Sequence, residues 1–126
     1  MSADKITILI IEDESIIRQA LVQKLKNEGY QTLEAGNGEE GLKLALETKP
    51  NLILLDIILP LMDGLAVLDA LRKDAWGKDA KVIILSNLSD EAKVTIAKDK
   101  GVSDYLIKTN WDINDVVKKI EQKLVV

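Results

Sequence analysis

Four apolar residues in direct succession, Leu52-Ile53-Leu54-Leu55, are followed at once by a carboxylate, Asp56, and then by Pro60 and Asp63-Gly64. A strand with one wet face alternates apolar and polar side chains. A run without alternation therefore belongs to a strand covered on both faces, as in a parallel sheet. Pro60 cannot donate to a ladder and ends any strand before it. Asp63 is placed to cap a helix that begins near Leu65. An Asp at the carboxyl end of a buried parallel strand stands where open α/β sheets place ligands and chemistry. This stretch alone leaves a second reading open, in which Asp56 only caps the loop.

The rest of the chain repeats the pattern. Ile6 to Ile11 reads as a buried first strand ending on Glu12-Asp13-Glu14. Ser15 or Asp13 can cap the next helix, where Ile17, Leu21 and Leu25 share a face and Gly29 is the left-handed end. Tyr30 to Glu34 is a short, weakly apolar strand expected at the sheet edge. Asn37 and Glu40 suit a capping box for a helix that turns Leu42, Ala45 and Leu46 inward and stops before Pro50. The helix after Asp63 is expected near Leu65 to Ala75, burying Leu65, Leu68 and Leu71, with Trp76-Gly77 closing it. Lys81 to Ser86 is another buried strand. Ser89 is the expected cap of a polar fourth helix whose apolar contacts are Ala92, Ile96 and Ala97, and Gly101 ends it. Asp104 to Ile107 is the fifth strand, followed by Lys108. The last helix, from about Ile113, carries the stripe Ile113, Val116, Val117, Ile120 and Leu124.

Strict alternation of strand and helix over short linkers predicts an α/β fold, a doubly wound parallel sheet of five strands. Right-handed crossovers favour the order 2-1-3-4-5. The strands ending at Glu12-Asp13 and at Asp56 are then neighbours, and the acids lie where the winding reverses. The 126 residues show no repeat, low-complexity segment or boundary, so residues 1–126 read as one domain with a core of about 6–125.

Composition removes several functions. With 17 basic and 21 acidic residues and no Lys/Arg-rich run, direct nucleic-acid binding is not expected. Without cysteine there is no disulfide, thiolate metal site or cysteine nucleophile. No segment resembles a signal peptide or a membrane span, which points to a cytoplasmic protein without membrane contact. Histidine is absent, so any phosphohistidine belongs to another protein. No GxxxxGK[ST] or GxGxxG loop offers a nucleotide cradle.

The carboxyl ends of the strands gather Glu12, Asp13, Asp56, Ser86 and Lys108 at one edge. Two like charges about 4 Å apart cost about 4 kcal/mol at an effective dielectric near 20, more than one lysine offsets across three carboxylates. A hard divalent cation held by oxygens resolves the repulsion, and Mg²⁺ suits such ligands together with phosphate oxygens. The ordinary alternative is an acid cluster relieved by raised pKa values and water. A carboxylate in this setting can itself be the nucleophile and form an aspartyl phosphate.

Ile-Ile-Glu-Asp-Glu, Leu-Leu-Asp-Ile-Ile-Leu-Pro-Leu-Met-Asp-Gly, Ile-Leu-Ser and Asp-Tyr-Leu-Ile-Lys, in this order, resemble the receiver domain of two-component response regulators. The resemblance implies the flavodoxin-like (βα)5 sandwich. It implies Asp56 as phosphoacceptor, taking its phosphoryl group from a sensor histidine kinase or histidine phosphotransfer protein. It also implies Mg²⁺ bound by Asp13, Asp56 and the backbone carbonyl of Ile58, with Glu12 acting through water. Ser86 and Lys108 would hold the phosphoryl oxygens. Such a domain catalyses its own phosphorylation and dephosphorylation without being a conventional enzyme. Tyr105 occupies the family's switch position and would turn inward as Ser86 moves, reshaping the surface of the fourth helix, fifth strand and fifth helix. A half-buried edge-strand tyrosine is the alternative.

The sequence departs from the family where Thr109, not proline, follows Lys108, so a trans bond is expected there. The loop Thr109-Asn110-Trp111 is one residue longer than usual, and Trp111 is expected to be partly buried. Asn87 is bulkier than the small residue the family often carries, which bears on the lifetime of the phosphoryl group. The leading expectation is a stand-alone phosphorylation-controlled binding switch. Other readings are a receiver fragment of a DNA-binding regulator and a relay or scaffold receiver without output domain. A phosphorylation-dependent homodimer stays open, and the downstream target is not readable.

Overall fold

All five apolar runs become strands of one parallel sheet in the order β2-β1-β3-β4-β5. The computed structural model describes residues 5–88 and 90–124. In chain order the elements are β1 (Thr7–Ile11), α1 (Ser15–Asn27), β2 (Gln31–Ala35), α2 (Gly38–Thr48), β3 (Leu52–Leu55), α3 (Gly64–Lys73), β4 (Val82–Ser86), α4 (Glu91–Asp99), β5 (Asp104–Ile107) and α5 (Ile113–Leu124). Short 3₁₀ turns cover Gly77–Asp79 and Lys108–Asn110. β3 sits between β1 and β4, with Ile10 beside Leu54 and Leu54 beside Ile83.

The strands lack alternation because each face has its own helices. Ile8, Ile10, Leu54, Ile83 and Leu106 pack against Leu21 and Leu25 of α1 and Val116, Val117 and Ile120 of α5. Leu9, Ile11, Ile53, Leu55 and Ile84 point the other way, onto Ala45 of α2, Val67, Leu68 and Leu71 of α3, and Ala97 of α4. β2 lies at the edge, as its weaker apolar character predicts. Among the described residues no helix is long and apolar enough to cross a membrane.

The caps at Asn37 and Asp63 form as expected, accepting from Glu40 N at 2.8 Å and Ala66 N at 2.9 Å. Gly29 and Gly101 follow their helices with φ of +97° and +77°. The cap of α1 is different from the expectation. Its N-cap is Glu14, with no side-chain cap bond, so neither Asp13 nor Ser15 fills that role. For α4 the cap is Asp90, accepting from Ala92 N; Ser89 lies outside the described residues.

Two helices differ from their predicted extents or faces. α3 stops at Lys73, because the carboxylate of Asp74 takes the N–H groups of Trp76 and Gly77 and starts a new turn. α4 is rotated from its expected face: Ala97 is buried and Val94 half-buried, while Ala92 and Ile96 face solvent. Its apolar seat is thin. Arg72 of α3 instead holds its far end, donating to the carbonyls of Lys100 at 2.6 Å and Gly101 at 3.2 Å. Lys100 adds an ion pair with Asp69 at 2.9 Å.

Leu68→Ala should lower stability by about 3 kcal/mol, the usual cost of a buried leucine cavity. Ile96→Ala should change it by less than about 0.5 kcal/mol. Urea unfolding of both variants tests this packing; a large loss at Ile96 would show that α4 buries the other face.

Candidate functional site

The ladder continues past the ends of two central strands, and this sets the site. Glu12 N donates to Ala35 O and Asp56 N to Ile11 O, each at 3.0 Å. Both acids thus stay in the sheet plane and are 3% exposed, the only carboxylates so deeply buried among the described residues. Gly64 brings α3 against the same place, its N–H bonding Ile57 O at 2.8 Å. A Cβ there would overlap the carbonyl oxygen of Asp56. Leu61 accepts a left-handed backbone at φ +68° to complete the loop.

Lys108 reaches these acids from the end of β5. Its Nζ lies 2.7 Å from Glu12 Oε1, 2.7 Å from Glu14 Oε1 and 2.8 Å from Asp56 Oδ2. Burial by itself draws its pKa down, but the close carboxylates of Asp56, Glu12 and Glu14 outweigh that and leave it raised. The ammonium is therefore held charged. Glu12 is pushed up chiefly by burial, with the neighbouring Asp56 charge adding to it, while Lys108 and the Glu14 N–H pull the other way.

Carboxylate oxygens of Glu12, Asp13, Glu14 and Asp56 all come within 4.8 Å of one another. Asp13 is exposed and completes the rim. Ile58 N donates to Asp56 Oδ1 at 3.1 Å, which keeps that peptide beside the carboxylate, while the Ile58 side chain is 56% exposed. These are hard oxygen donors carrying more negative charge than one lysine balances. The set fits a small divalent cation.

Ser86 is fully buried at the end of β4, and its Oγ accepts from Leu88 N at 3.3 Å. Tyr105 is half-buried, and its hydroxyl donates to Leu88 O at 2.6 Å. Serine and tyrosine thus grip the same residue from its two peptide groups. The Tyr105 hydroxyl pKa is raised, first by burial and then by the charge of Asp56. Trp111 is half-buried as expected, with Lys119 Nζ 5.6 Å from its ring centroid. No cis peptide occurs among the described residues, in line with the trans bond expected before Thr109.

Sequence reasoning missed two members of this neighbourhood. Glu14 was legible only as the third acid of a run, and it turns out to bind Lys108. Arg18 donates from Nη1 to Glu12 O at 2.8 Å and from Nε to Glu34 Oε1 at 2.9 Å, tying the acidic loop to β2. A basic residue one turn into α1 carries no local signal for such a role.

Comparison with known proteins returns one family. The sequence model of the response regulator receiver domain matches residues 8–121. The transcriptional regulatory protein PdtaR of Mycobacterium tuberculosis is 37% identical over 115 residues, covering 90% of this chain and 54% of that protein. The chain thus spans about half the length of the curated relatives it matches. A CheY-like response regulator receiver domain protein from Methanospirillum hungatei superposes with a TM-score of 0.88 at 30% identity, over 96% of this chain and 94% of that one. A LuxR-family DNA-binding response regulator from Staphylococcus aureus gives 0.86 at 32% identity, over 94% and 98%.

Lys108→Ala should cost about 3 kcal/mol, because it strands two buried carboxylates without their cation. Gly64→Ala should cost about 1–3 kcal/mol through the overlap with Asp56 O. Denaturant midpoints of the two variants check both; a neutral Lys108→Ala would mean that the acids are relieved by protonation or water instead.

Proposed function

The chain belongs to the response regulator receiver domain family, and from that premise we propose that it is a phosphorylation-controlled switch with Asp56 as phosphoacceptor. The observation that carries this reading is the buried carboxylate of Asp56, 2.8 Å from a charged lysine and ringed by other acids at the end of a central strand. A surface cap has no use for that arrangement. Receiver domains work with sensor histidine kinases, and family membership makes a kinase or histidine phosphotransfer protein the donor we assign; this sequence has no histidine to carry the phosphoryl group itself.

In the transfer, an oxygen of Asp56 attacks phosphorus as the phosphorus–nitrogen bond of the donor breaks. The electron pair of that bond returns to the imidazole nitrogen, and the product is an acyl phosphate. Lys108 neutralises charge growing on the phosphoryl oxygens, and Ser86 offers its hydroxyl to one of them. Asp13, Asp56 and the Ile58 carbonyl would hold Mg²⁺, with Glu12 assisting through water. Bound there, the ion supplies charge neutralisation on the acids and the phosphoryl group.

The switch follows from the shared grip on Leu88. Turning Ser86 Oγ toward a phosphoryl oxygen withdraws the acceptor of Leu88 N, while Tyr105 still holds Leu88 O. The loop before α4 then repositions with the tyrosine. α4 is free to respond at that end, since its buried contact is Ala97 and its far end is tied by Arg72. The readout is the surface of α4, β5 and α5, where a groove is lined by Glu91, Val94, Lys98, Tyr105 and Ile107. We assign residues 1–126 to one receiver domain that acts inside the cell.

A second reading is favoured by the relatives, which are named transcriptional regulators and are longer than this chain. In it the receiver controls a DNA-binding partner domain. The reading frame beyond Val126 in the source gene distinguishes the two.

Incubation with Mg²⁺ and phosphoramidate should add one phosphoryl group to the wild type and none to Asp56→Asn, read by intact mass. Equal labelling of both would falsify the assignment. Mg²⁺ at 100 times its dissociation constant should stabilise the wild type by about 2.7 kcal/mol. Asp13→Ala should lose most of that gain in a thermal melt.

A further inference from the structure

An ammonium group has three N–H donors. At Lys108 two are given to Glu14 Oε1 at 2.7 Å and Asp56 Oδ2 at 2.8 Å, and Glu12 Oε1 presses on the ammonium as an ion pair at 2.7 Å. Three carboxylate oxygens thus crowd the ammonium within 2.8 Å, and an arriving phosphoryl oxygen reaches it by displacing one of them. The three are not equivalent. Glu12 and Asp56 have side chains 3% exposed, and freeing either would strand a buried charge. The Glu14 side chain is 54% exposed and regains water on departure.

Glu14 is also built so that its side chain can move alone. It is the N-cap of α1 but makes no side-chain cap bond. Its backbone is held independently: its N–H donates to Glu12 Oε2 at 3.0 Å, and its carbonyl accepts from Arg18 N at 2.9 Å. Swinging the carboxylate away therefore leaves the helix start and the acidic loop in place.

We propose that Glu14 is a positioning residue that occupies an N–H of Lys108 before phosphorylation and gives up its place to a phosphoryl oxygen as transfer proceeds. This rests on the reading of Asp56 as phosphoacceptor with Lys108 contacting the phosphoryl group. The exchange makes no covalent bond; one N–H leaves a carboxylate oxygen and meets a phosphoryl oxygen. Its consequence is a brake: the same contact that keeps Lys108 oriented opposes the transfer.

The test compares wild type, Glu14→Gln and Glu14→Asp, labelled with phosphoramidate and Mg²⁺ and followed by intact mass. Mg²⁺ affinity of each is measured by calorimetry. Glu14→Asp keeps the charge but is one methylene short of Lys108, so it separates the contact from general repulsion of an anionic donor. Both variants should label about two- to fivefold faster, the range that an exposed ion pair supports. Their Mg²⁺ affinity should stay within about twofold of wild type, since the contact belongs to the lysine. A purely structural role would slow labelling instead. Wild-type kinetics for Glu14→Asp beside a faster Glu14→Gln would reduce the effect to field strength and overturn the proposal. Weaker Mg²⁺ binding in both would make Glu14 a metal ligand and overturn it too. Equal rates on a labelled wild type overturn this inference alone, whereas no label on wild type overturns the phosphoacceptor reading beneath it.

Discussion

One ammonium surrounded by carboxylates at the rim of a parallel sheet is the interaction on which the site depends. Glu12 and Asp56 are buried because the ladder runs past the strand ends and carries them along. Buried negative charges at that spacing are tolerated only with a cation among them. Lys108 supplies it, and its pKa is raised despite burial because its partners favour the charged form. The balance is incomplete by design of the residue types, since four acids crowd the rim. That deficit of positive charge makes the place receptive to a metal ion and a phosphoryl group.

The scaffold that sets these distances is stiff where the site needs it. β1 and β3 lie side by side, covered by helices on both faces, so neither acid can retreat without disturbing a packed core. Gly64 seats α3 directly on the Asp56 backbone, and Arg18 fastens the loop after β1 to β2. Softness is confined to the other side. α4 buries little, is pinned at one end by Arg72, and follows the residue Leu88 that Ser86 and Tyr105 hold. Rigid strands with one loosely seated helix beside them suit a protein that converts a local charge event into a surface change.

Much of this was legible in the linear chain. Apolar runs without alternation mean strands buried on both faces, and their regular spacing with helices means a parallel sheet. The topology then brings Asp13, Asp56 and Lys108 to one edge whatever the details. Caps at Asn37 and Asp63 were readable because an N-cap bond spans three residues and needs nothing from the rest of the fold. Where the reading failed, the deciding partner was distant or a competing local bond won. Periodicity says which residues of α4 share a stripe but not which stripe faces the sheet, and Ala92 and Ile96 face solvent where an inward stripe is expected. α3 ends earlier than its pattern predicts because Asp74 takes two N–H groups for a new turn.

By itself, then, the sequence determined the sheet, its order and the identity of the acids at the strand ends, since burial of apolar area acts on short patterns. Only the folded chain decided that Glu14, 94 residues before Lys108, accepts one of its hydrogen bonds, and that Ser86 and Tyr105 meet at Leu88. The physical reason is that a side chain's direction at a sheet edge depends on loops packed from several strands at once. Such a direction has no period to be read.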